Sequence, residues 1–199
     1  MSAQGLARGF ADPARESQRA FKALMWAMAR PGLPETFVSH LTPPAPLTPE
    51  LAALALTLLD YETTVWLDAP LAQQTAVVEF LRFHTSARIV SAPQEAQFAL
   101  ISNASDLPDF TAFAQGEPDY PDRSTTLIVA VQRLAEAPFQ IEGPGIKGHV
   151  GFGAEPLPAD MSTRLAANRA LFPLGLDLVL AAPGAILGLP RSVRLIEEA

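Results

Sequence analysis

Apolar positions recur at helical spacing through residues 13–29, PARESQRAFKALMWAMA, where Phe21, Leu24, Met25 and Met28 share one stripe. Asp12 stands where a cap is needed and Pro13 where the first turn tolerates proline, so a helix starts here and ends before Pro31-Gly32. The next stretch, LTPPAPLTPE, is a connector whose prolines deny the backbone donors that a regular element requires. Thr48-Pro49-Glu50 then opens a second helix over LAALALTLLD. TTVWL predicts a short buried strand. TAVVEFLRFHT predicts a helix with Val77, Phe80, Leu81 and Phe83 on its apolar side, and with Arg82 and His84 near its C-terminal end, where the helix dipole favours positive charge.

Further along, ARIV and QFALIS predict strands, and LPDFTAFAQG a short helix ending at Gly116. TTLIVAVQ has the β-branched content of a central strand and FQIEG that of its successor. ADMSTRLAANRALF predicts a last helix, and DLVLA, AILGL and SVRLI the closing strands. Helices alternating with apolar strands define an α/β layered fold, with antiparallel neighbours wherever the connections are too short for crossovers. No internal repeat interrupts the pattern.

Composition narrows what such a fold can do. With 199 residues and 49% apolar content the chain builds one domain, 1–199. A formal charge of −7 leaves no basic footprint for nucleic acid or an anionic membrane. Charged residues make up only 18%, which fits apolar surface hidden in an oligomer or complex. The absence of cysteine excludes disulfides, thiolate catalysis and iron–sulfur ligation by this chain. The opening MSAQGLARGFADPARE has no apolar segment of the secretory kind, and the tract LFPLGLDLVLAAPGAILGLP is broken by Asp177, Pro183 and glycines, so a cytoplasmic protein without a membrane span is expected.

Candidate chemistry is sparse. IEGPGIKGHVGFG, residues 141–153, lacks the lysine-serine or lysine-threonine pair of a phosphate loop and reads as strand, tight turn and strand. A pyridoxal-phosphate enzyme needs a lysine for its aldimine, and only Lys22, on the first helix, and Lys147, on the turn, exist. The three histidines, His40, His84 and His149, have no metal-ligand spacing. RFHT gathers Arg82, His84 and Thr85, all able to bind an oxyanion, at a helix end where they can equally serve as a cap. Arg19, Arg30, Arg82 and Arg191 suit bidentate recognition of phosphate or carboxylate, or contacts between subunits. Asp177 is placed to pair with one of them.

The ordered segments ESQRAFKALMWAMARPG, LTLLDYETTVWLD, FLRFHTSA, FAQGEPDYPDRST, GPGI, FPLGLDLVL and LPRS, spread over residues 16–192, resemble the PhnH subunits of the bacterial carbon–phosphorus lyase system. Lys22 and Ser192 stand where such proteins usually carry arginine and threonine. The resemblance implies a three-layer α/β/α fold with a mixed sheet, similar to pyridoxal-phosphate transferases but without the cofactor. It also implies a homodimer that joins PhnG, PhnI and PhnJ in a core complex. That complex makes alpha-D-ribose 1-methylphosphonate 5-triphosphate from ATP and methylphosphonate. Two roles stay open at this point: an assembly subunit that is not catalytic alone, or a subunit with its own phosphate or phosphonate pocket built from Arg19, Arg82, His84 and Arg191.

Overall fold

A computed structural model describes residues 6–196. Asp12 caps α1 (Pro13–Ala29), accepting from the Arg15 N–H at 3.2 Å, and the minimal strand β1 (Glu35–Thr36) follows. Thr48 caps α2 (Pro49–Leu58) by accepting from the Leu51 N–H at 3.4 Å. Next come β2 (Thr64–Leu67), the single turn α3 (Ala69–Ala72) and α4 (Thr75–Thr85). Ser86, left-handed at φ 58°, ends α4 before β3 (Arg88–Val90). β4 (Phe98–Ile101) is followed by the hairpin of β5 (Gln115–Glu117) and β6 (Tyr120–Ser124), and then by β7 (Thr126–Ala130). The chain continues through β8 (Arg133–Glu142), β9 (Val150–Glu155), α5 (Met161–Ala170), β10 (Asp177–Ala182), β11 (Ala185–Leu189) and β12 (Arg194–Leu195).

The main sheet has seven strands in the order β1-β11-β10-β7-β4-β2-β3. From β3 to β10 the neighbours are parallel, whereas β10–β11 and β11–β1 are antiparallel, which makes the sheet mixed. The central strands β7 and β10 are apolar almost without interruption because both faces of the sheet are covered. One face packs against α1, α2 and α4 through Ala20, Leu24, Leu54 and Phe80. The other packs against α5 and the small β12-β8-β9 sheet through Phe152, Met161 and Leu165. No helix among the described residues is long and apolar enough to cross a membrane.

Three expectations are corrected. Phe21 and Met25 do not face the core: they are 49% and 55% exposed, and α1 instead packs with Ala20, Ala23, Leu24 and Ala27. Small side chains let the helix axis approach β11, where Gly188 has no Cβ to hold it off. Phe83 likewise points outward, 71% exposed, while Val77, Phe80 and Leu81 bury. Finally, LPDFTAFAQG is not a helix but a single 3-10 turn, Phe110–Ala112, running into β5. Gln115 explains the stop, because its side-chain amide donates to the Phe110 and Phe113 carbonyls at 2.6 and 2.9 Å and so takes acceptors that a continuing helix would use. At the start of that turn Asp109 accepts from the Thr111 hydroxyl and N–H, and these two bonds hold its carboxyl below the usual carboxylate range.

The glycine-rich stretch forms strand, turn and strand, as expected, with β8 and β9 on either side. Gly145 at φ +85° shows why glycine is needed there: a Cβ would run into the Ala29 carbonyl oxygen, so only a bare backbone lets the turn abut the end of α1.

Candidate functional site

The structure sorts the seven sequence candidates by what already occupies them. Asp177, at the start of β10, accepts from three nitrogens of Arg191: the backbone N–H at 2.8 Å, Nε at 3.2 Å and Nη2 at 2.6 Å. The same guanidinium also donates to the Pro121 carbonyl and the Ser124 hydroxyl, each at 2.6 Å. This arginine ties the β5–β6 hairpin to the main sheet, and four of its five guanidinium N–H donors are spent on protein acceptors.

The end of α4 is equally committed. The Thr85 hydroxyl donates to the Leu81 carbonyl at 2.7 Å and accepts from the Ala87 N–H at 3.1 Å, shaping the helix end. His84 lies edge-on to Phe80 and Phe83, and its Nε2 is 3.0 Å from the Ala7 carbonyl, which pins the segment preceding α1. Gly9 packs against this imidazole, where a Cβ would come within 2.8 Å of Nδ1. Arg82 is exposed and meets no carboxylate among the described residues. Arg82→Ala is therefore expected to leave stability within about 0.5 kcal/mol of wild type, checked by denaturant unfolding.

Arg30 and Arg19 lie on α1 or at its end, and they part ways. Arg30 donates to Glu35 at 2.6 Å and stacks over Trp26 at 4.8 Å from the ring centroid. Arg19 opens onto a cavity of about 520 Å³ between α1 and the segment 35–40, lined also by Lys22, Trp26, Phe37 and His40. Arg19, Lys22 and Trp26, spaced i, i+3 and i+7, form one flank of the helix and one wall of the cavity. The opposite wall is fixed by the backbone, because the Phe37 N–H donates to Gly184 in the β10–β11 turn at 2.9 Å. That turn is itself held by the buried Glu50, which accepts from the Gly184 N–H at 3.1 Å. Ala23, Phe37 and Ala53 are buried and give the cavity an apolar floor.

None of Arg30, Arg82, His84, Thr85, Asp177 or Arg191 lines this cavity, so the expected four-residue pocket does not form. Lys22 and His40, read from sequence as surface or structural positions, stand beside Arg19 instead. The helical spacing of Arg19 and Lys22 was visible in the sequence; His40 arrives from a connector, and only the tertiary fold brings it there. Among the described residues, no group of three His, Asp or Glu side chains is arranged to hold a metal ion.

The chain belongs to a family of proteins of bacterial phosphonate metabolism. The model of that family, described as bacterial phosphonate metabolism protein (PhnH), matches residues 8–196, and the chain is a member of it. A relative from Rhizobium meliloti (strain 1021), named alpha-D-ribose 1-methylphosphonate 5-triphosphate synthase subunit PhnH, is 43% identical over 190 residues, covering 95% of this chain and 94% of the relative.

Proposed function

We propose that this chain is a non-radical subunit of the carbon–phosphorus lyase core complex and supports formation of alpha-D-ribose 1-methylphosphonate 5-triphosphate from ATP and methylphosphonate. The observation that carries this reading is the identity of 43% across nearly the full length of both chains with a relative named as a subunit of that synthase. The surface supports a role in assembly. Phe21 and Met25, one turn apart on α1, are about half exposed, and a lone soluble domain gains nothing from presenting them to water. The partners in this reading are PhnG, PhnI, PhnJ and a second copy of the chain, in the cytoplasm, within a three-layer α/β/α fold of the pyridoxal-phosphate transferase kind.

The same reading assigns no cofactor to the subunit. With no cysteine it has no thiolate for an iron–sulfur cluster, so radical cleavage of the carbon–phosphorus bond falls to a partner. Lys22 and Lys147 are both exposed, without the desolvated setting that activates an amine toward an aldehyde. The test is purification of the tagged chain from its host grown on methylphosphonate as sole phosphorus source, read by native mass spectrometry. One stoichiometric assembly containing three other subunits is expected; a lone dimer, recovered while the other subunits copurify with one another, would overturn the reading.

A further inference from the structure

We infer that the cavity between α1 and the segment 35–40 is a binding site for an organic phosphate or phosphonate with a flat apolar body. This goes beyond a role in assembly, since it is a property of the isolated chain. The first argument is charge. Arg19 and Lys22 are like charges at i, i+3 on one helical flank, a pair whose mild mutual repulsion a bound anion would relieve. The chain carries 21 acidic residues, yet among the described ones none lies within ion-pair distance of either side chain.

The two acids that share the cavity are already engaged. Glu16 accepts from the Asp12 N–H at 2.7 Å, and Glu35 accepts from Arg30 at 2.6 Å. Arg30 is thus a positioning residue: it holds Glu35 and, by stacking, Trp26. Arg19, Lys22 and the His40 imidazole face the cavity over its apolar floor, with Glu16 and Glu35 held at its edge by those bonds.

The second argument is shape. A volume of about 520 Å³ lies in the range of small-molecule sites, and its Trp26 and Phe37 rings suit a flat apolar body next to the anionic head. A groove of similar size, about 560 Å³, between β8 and α5 serves as a contrast: its Arg194 is paired with Glu142, and its Arg169 is stacked over Phe172. Of these two, the α1 cavity is the one whose cations have no carboxylate partner among the described residues. Arg19 and Lys22 supply the charge, Arg19 as a planar fork and Lys22 as a point charge.

Trp26 reports on this site directly. The chain has two tryptophans, and Trp66 packs edge-on against Phe113 away from the cavity, so Trp66→Phe leaves Trp26 as the sole emitter. Phenyl phosphate titrated into this full-length variant is expected to change Trp26 emission saturably and at least tenfold more tightly than inorganic phosphate. Arg19→Ala and Lys22→Ala should each weaken the binding about tenfold with the circular dichroism spectrum unchanged, and Arg82→Ala should leave it unaltered. An absence of saturable change at millimolar phenyl phosphate overturns the proposal, as does binding that ignores both substitutions. A third result also sinks it: no ligand response, but loss of Arg19→Ala and Lys22→Ala chains from the purified complex, which would make the cavity a contact for a protein partner.

Discussion

Asp177→Ala is expected to destabilise the protein by about 3 kcal/mol, the lower end of what removing one partner of a buried ion pair costs. The lower end applies because Asp177 and Arg191 side chains keep 21% and 15% of their surface exposed. Removing the carboxylate strands a guanidinium whose other donors are fixed on Pro121 and Ser124, so the charge cannot swing out to water without breaking those bonds as well. The midpoint of thermal unfolding should fall by roughly 6–12 °C for a chain of this size. Asp177→Asn keeps an acceptor for the Arg191 backbone N–H and should recover part of the loss. Arg191→Lys should not rescue, because an ammonium cannot span a carboxylate, a carbonyl and a hydroxyl that a fork reaches together. Calorimetry on the three variants decides it: an Asp177→Ala midpoint within a degree or two of wild type would show that the network contributes nothing.

That network also shows how far sequence reaches and where it stops. Asp177 and Arg191 stood out as acid and base near the ends of predicted strands, but their pairing depends on the β10–β11 hairpin, which folds Arg191 back beside Asp177. Helix starts were legible because capping is local: Asp12-Pro13 and Thr48-Pro49 each announce a first turn within two residues. The core-facing side of α1 was not, because two stripes compete along it. The bulkier one, Phe21 and Met25, dominates any hydrophobic pattern, yet the alanine stripe faces the sheet, since close approach to β11 is decided by backbone space. β1 and the β5–β6 hairpin were not legible for a related reason: two-residue strands such as Glu35–Thr36 and polar ones such as Tyr120–Ser124 carry no period long enough to read. The cavity was half visible. Its α1 wall follows from spacing alone, whereas its other wall follows from Phe37 bonding to a turn almost 150 residues away, at Gly184.

Gly188→Ala tests whether that close approach governs the cavity. A Cβ on Gly188 would sit 2.6 Å from the Ala27 carbonyl oxygen and 2.9 Å from the Met28 nitrogen, both backbone atoms of α1 that no rotamer change can move. The helix must shift or β11 must bend, and a loss of about 3 kcal/mol is expected, at the upper end of what overpacking costs. Gly148→Ala is the control: at φ +77° it suffers backbone strain of about 1–2 kcal/mol, but its Cβ meets nothing within 4 Å. Shrinking the neighbour should fail to rescue, because Ala27→Gly removes a methyl group and leaves the clashing carbonyl in place. The displacement would be felt along α1, which carries Arg19, Lys22 and Trp26 on one wall of the cavity while Phe37 and His40 stay with the other. Hydrogen exchange on α1 and the Trp26 titration with phenyl phosphate should therefore both report the change, with faster exchange and weaker binding in Gly188→Ala and neither in Gly148→Ala. Wild-type exchange and affinity in Gly188→Ala would mean that α1 and β11 tolerate the added methyl, and that the cavity wall is not set by their spacing.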